Sequence, residues 1–105
     1  MKKSQYLIKL MEDLIREKIS PLVFVNKYEK FFTDNWVMLE REVNKNIFDI
    51  FCDLNMDLGY FVPDPKLRKE YEYYFDEKFL IKEVKIIYEK LKEEIKRRNK
   101  KRKNG

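Results

Sequence analysis

The chain has 105 residues, 44% of them apolar, which suits one compact domain with a core and is too short for two. Its 41% charged content, with only two glycines and three prolines, describes long helices and excludes a sheet, which needs more turns. Histidine is absent and Cys52 is the single cysteine, so Ser-His and Cys-His nucleophiles, Cys/His zinc sites and an internal disulfide are excluded.

The first helix is expected over Ser4–Glu17. Leu7, Leu10, Met11 and Leu14 recur there at helical spacing, with Ser4 as the expected N-cap. Ser20-Pro21 is a restart signal, a capping hydroxyl followed by proline at the first helical position. Phe24, Val25, Tyr28, Phe31 and Phe32 then form one apolar stripe, and this second helix is expected to end near Thr33. Asp34-Asn35 reads as a short break. Beyond it Trp36, Val43, Ile47, Ile50, Phe51, Leu54 and Leu58 trace an apolar face of about six turns, which predicts a third helix that Gly59 ends.

A loop held by Pro63 and Pro65 follows, with a short helical turn from Pro65 to Glu72 capped by Asp64. Leu80, Val84, Ile87, Tyr88, Leu91 and Ile95 mark the fourth long helix. Short connections favour antiparallel neighbours, so the expected fold is all-α, an antiparallel four-helix bundle. Residues 1–95 form the domain, and residues 96–105 a basic, frayed tail.

The net charge of +5 conceals a sorted distribution. Glu29 to Glu77 holds 12 acidic and 6 basic residues, whereas eight basic and two acidic residues follow from Lys92 onward. Glu42, Asp49, Asp53 and Asp57 are spaced seven, four and four apart, which on one helix gathers them into a narrow acidic arc. A solvated helix face is the ordinary reading of such an arc. Against it, like charges four residues apart repel by about 0.2–0.5 kcal/mol per pair, which a basic partner would relieve.

Asp64, Glu70, Glu72, Asp76 and Glu77 extend the negative surface, interleaved with Tyr60, Phe61, Tyr71, Tyr73, Tyr74 and Phe75. Aromatic anchors among carboxylates suit a protein interface. The same residues also suit structural work, Asp64 and Asp76 as helix caps and Glu77 in favour of a helix dipole.

Asp53-x-Asn55-x-Asp57 is a poor calcium loop because Leu58 stands where glycine is needed. A di-iron bundle site requires histidine. No metal, cofactor or catalytic residue is expected. The basic residues from Lys96 to Lys103 leave open a second reading, a small helical nucleic-acid-binding protein that uses its tail, but no aromatic accompanies them as a stacking platform. No apolar run approaches the roughly 20 residues that cross a bilayer, and Lys9, Glu12 and Asp13 interrupt the one stretch that could pass for a signal peptide. A cytoplasmic protein off the membrane is expected, and a monomer is favoured.

Lys18-Ile19-Ser20 with Phe24, Phe48 and Phe51, then Phe61, Pro63-Asp64-Pro65, Leu67-Arg68, Asp76-Glu77 and Leu80, form a pattern across most of the chain. In these residues the sequence resembles the colicin D immunity protein group, small bacterial self-protection proteins also found beside contact-dependent inhibition toxins. The resemblance implies a four-helix bundle that binds a toxin domain, in the type case a nuclease cutting transfer RNA, and covers its active site without catalysis. It implies Asp64, Asp76 and Glu77 as toxin contacts. The aromatic stretch between Arg68 and Asp76, the long basic tail and the positive net charge depart from the group's pattern.

Overall fold

The computed structural model describes residues 2–70 and 74–104, with side chains described for residues 2–70 and 74–97. Its helices are α1 (Lys3–Ile15), α2 (Pro21–Glu42), α3 (Lys45–Leu58), the single turn α4 (Pro65–Arg68) and α5 (Glu77–Asn104). The four long helices form an antiparallel bundle in which α1 and α3 each pack against both α2 and α5.

Direction alternates along the chain. The C-terminal end of α2 meets the N-terminal end of α1, where the Lys3 and Ser4 amides donate to the two carboxylate oxygens of Glu42 at 2.9 and 2.8 Å. The Tyr28 hydroxyl donates to the Phe51 carbonyl at 2.9 Å, tying the middles of α2 and α3. The Tyr88 hydroxyl reaches Glu12 at 2.8 Å, which ties α5 to α1.

The core follows from the apolar stripes. Leu7, Leu10, Met11 and Leu14 of α1 meet Phe24, Val25, Tyr28 and Leu39 of α2, the five buried residues of α3, and Leu80, Val84, Ile87 and Leu91 of α5. Burial, with a smaller contribution from the Cys52 thiol, holds Tyr28 ionisation well above the usual tyrosine range. Its hydroxyl therefore stays protonated, and a donor, at neutral pH.

Three expected boundaries are corrected. The Asp34-Asn35 break does not exist, because both polar residues are satisfied inside α2. Lys30 pairs with Asp34 at 3.3 Å, and Asn35 Nδ2 donates back to the Phe31 carbonyl at 2.9 Å. The chain breaks at Val43-Asn44 instead, where Asn44 Oδ1 accepts from the Ile47 amide at 2.9 Å and opens α3. Ser4 is not an N-cap. It lies inside α1, and Glu42 performs the capping from 38 residues away.

The α1–α2 link has a sharp geometry. Glu17 takes φ 61°, its amide donates to the Leu14 carbonyl at 3.0 Å, and the Lys18 amide donates to the Asp13 carbonyl at 2.7 Å. This is a Schellman ending with a non-glycine residue in the left-handed position. Ser20 then caps α2 by accepting from the Val23 amide at 3.2 Å.

The α3–α5 connection is fastened at its neck. The Val62 amide donates to the Phe75 carbonyl and the Phe75 amide to the Tyr60 carbonyl, each at 3.0 Å. Arg68 Nη1 donates to the Val62 and Pro63 carbonyls at 2.9 and 2.8 Å. Asp64 Oδ1 accepts from the Lys66 amide at 2.9 Å to cap α4, which stops at Arg68, short of the expected Glu72. Most of the proline-bracketed motif therefore acts as internal fastening.

Candidate functional site

On α3, residues four apart step about 40° around the axis, so Asp49, Asp53 and Asp57 wind gently along one flank of the buried stripe. That flank faces α5. On α5, Phe79, Glu83, Lys90 and Glu94 share the matching flank, spaced four, seven and four apart. Two shallow depressions lie along the seam. One is lined by Asn46, Asp49, Ile50, Asp53, Lys90 and Glu94, the other by Asp57, Tyr60, Phe75, Phe79 and Glu83.

Five carboxylates thus meet one lysine along this seam. Arg97 engages Glu94 at 3.3 Å. Among the described residues no ion pair engages Asp49, Asp53, Asp57 or Glu83. Asp49 and Asp53 are exposed and Asp57 is half-buried. Burial first, and the Asp53 charge second, push the Asp57 carboxyl up from the usual range. The Cys52 thiol is raised in the same way, by burial and then by Asp49, Asp53 and Glu40, so it is no reactive thiolate.

The second depression also carries aromatic surface. Phe61 is buried, Phe75 packs against it at 6.1 Å between ring centroids, and Phe79 packs against Phe75 at 5.1 Å. The series runs from core to solvent, ending on Phe79 at 51% exposure, with Tyr60 at 45% beside it. Phe79, anchored against Phe75 and half exposed, is a ready-made interface anchor.

The remaining acidic residues are distributed otherwise. Glu42 stands on α2, outside the arc, with its carboxylate occupied at the α1 N-terminus. Glu77 lies at the opposite end of the bundle from Glu42, in a depression with Leu14, Lys18, Ile19, Pro21 and Ile81, away from the seam. Asp76 caps α5 by accepting from the Phe79 amide at 2.9 Å. Asp64 caps α4, and Glu70 is exposed just past the end of that turn. Glu72 lies outside the described residues. Sequence reasoning missed Glu83, Glu94 and Phe79, because their place opposite α3 emerges only once α3 and α5 are known to be neighbours.

A model of the bacterial self-protective colicin-like immunity family matches residues 3–91. The chain belongs to that family. No curated protein and no solved structure matches it. Membership makes this an immunity protein, one that protects its producer against a toxin, and proteins of this family are generally inhibitors and not enzymes. Among the described residues of this immunity protein no helix is long and apolar enough to cross a membrane, and no group of three or more acidic or cysteine side chains could hold a metal ion.

Proposed function

We propose that this immunity protein neutralises a bacterial toxin nuclease, a ribonuclease that cleaves transfer RNA, by laying the α3–α5 seam into the cleft that binds the RNA backbone. The observation that carries this reading is the row Asp49, Asp53, Asp57 and Glu83, held on two packed helices with no ion pair among the described residues. An RNA-cleaving enzyme needs an electropositive cleft, and a rigid negative surface competes there with substrate. Charge complementarity speeds capture and selects the partner, while Tyr60 and Phe79 supply apolar contact that charge alone does not. Asp64, Glu70 and Asp76 lie in the α3–α5 connection beside this surface, whereas Glu42 and Glu77 serve the bundle. The complex forms in the cytoplasm, where RNA is the toxin's target.

The binding unit is residues 1–95. Ile95 is the last apolar residue of α5, and the sequence of the basic segment 96–105 holds no apolar side chain. Removing residues 96–105 leaves protection intact on this reading, whereas a tail-driven nucleic-acid-binding protein would lose its activity.

The test is protection of cells exposed to the cognate toxin, with binding measured alongside. Asp49→Lys, Asp53→Lys and Asp57→Lys combined abolish protection and steepen dissociation with normal helicity. Full protection by that folded variant refutes the acidic-seam mechanism.

A further inference from the structure

The depression at the lower end of the seam combines two kinds of wall. Asp57 and Glu83 come from opposite helices, and Tyr60, Phe75 and Phe79 supply aromatic surface between them. We propose that this depression is a receptor for a single arginine side chain of the bound toxin. The inference rests on the seam being the toxin-binding surface and names the chemistry taken up at one point on it.

The chemistry of the two walls excludes other occupants. An apolar side chain would satisfy the rings but dehydrate two carboxylates without pairing them, which costs several kcal/mol per charge in order of magnitude. A metal ion lacks ligands, since no group of three acidic or cysteine side chains among the described residues could hold one. A lysine would pair with one carboxylate as a compact, strongly hydrated point charge. A guanidinium is planar and weakly hydrated. It stacks on an aromatic face while its edge donates to carboxylates on either side. Within the protein the rings are already fixed for this purpose, because Phe75 is pinned by its two main-chain bonds and Phe79 packs against Phe75 at 5.1 Å. The raised Asp57 carboxyl marks a negative charge held at a cost until a cation arrives.

The probe is the tripeptide acetyl-Gly-Arg-Gly-amide, titrated into the full chain and followed by NMR of the aromatic side chains, with the citrulline tripeptide as neutral isostere. The arginine peptide shifts the Tyr60 and Phe79 rings saturably, the citrulline peptide does not, and the Asp57→Asn/Glu83→Gln double variant weakens the response at least tenfold. Absence of a saturable shift, or equal shifts with citrulline, overturns the receptor. A second measurement uses the cognate toxin domain, for which Phe79→Leu keeps apolar bulk and removes the π face, and weakens binding about tenfold. If Phe79→Leu and Glu83→Gln leave toxin affinity unchanged while reversal of Asp49, Asp53 and Asp57 abolishes it, the receptor is wrong and the acidic seam stands. If that reversal leaves affinity intact, the seam reading itself fails.

Discussion

The Ser4 amide donates to the Glu42 carboxylate at 2.8 Å across 38 residues, so the last residue of α2 caps the first turn of α1. Burial alone would raise this carboxyl, but the bonds from the Ser4 and Lys3 amides outweigh it and hold the group below its ordinary 4.5. A carboxylate at a helix N-terminus also meets the positive end of the dipole. Glu42→Ala is therefore expected to destabilise the fold by about 1 kcal/mol, the usual worth of an N-cap, read by urea denaturation. Because the folded group is the stronger acid, its contribution is present above the unfolded carboxyl range and disappears as pH falls through the lower folded value. Glu42→Gln should flatten that acid limb while leaving toxin affinity unchanged.

Asp57 has the opposite sign. Its folded carboxyl is the weaker acid, owing to burial and then to Asp53, so stability from this residue is lost as pH rises through the carboxylate range. Asp57→Asn should stabilise the protein by about 0.2–0.5 kcal/mol, the scale of a like-charge pair four residues apart, and should weaken toxin binding. A thermal melt paired with a binding isotherm reads both changes. A variant that loses stability and keeps affinity contradicts the account.

Glu17 sits at φ 61° where the Schellman ending of α1 favours glycine. The left-handed conformation costs an ordinary residue about 1–2 kcal/mol, offset in part by the larger chain entropy glycine loses on folding. Glu17→Gly is expected to raise stability by up to about 1 kcal/mol, measured by the midpoint of denaturation. A lower midpoint would show that the Glu17 side chain makes a stabilising contact.

Arg68 joins Val62 and Pro63 through one guanidinium nitrogen. Hydrogen bonds to a charged donor contribute about 1.5–3 kcal/mol when desolvated, and these are partly exposed, so Arg68→Met should cost about 1 kcal/mol. The loss is expected to be local. Amide exchange should quicken at Lys66 and Arg68 in the connection and stay unchanged at Leu54 in the core.

The sequence shows the bundle clearly where periodicity and caps agree. The stripes of α1 and α5, the Ser20-Pro21 start of α2 and the Asp64 and Asp76 caps all stand in the structure. The α2–α3 boundary was misplaced because Asp34 and Asn35 look like turn residues until their partners one helical turn back are known. Trp36 was also assigned to the third-helix stripe, whereas it lies exposed on α2. The acidic row on α3 was legible from spacing alone. Its counterpart on α5 was not, because pairing Glu83 and Glu94 with Asp57 and Asp49 requires knowing which two helices are neighbours. Glu42 shows the converse limit, in that a carboxylate counted as surface charge is occupied by amides distant in sequence.

The two main-chain bonds that join Phe75 to Tyr60 and Val62 close the α3–α5 excursion like a drawstring. Whatever lies above that closure can be lengthened, shortened or exchanged without altering how the long helices register, because loop-closure entropy grows only slowly with added residues. The crown of this excursion is consequently a cassette, whose exchange should leave the scaffold beneath it unchanged.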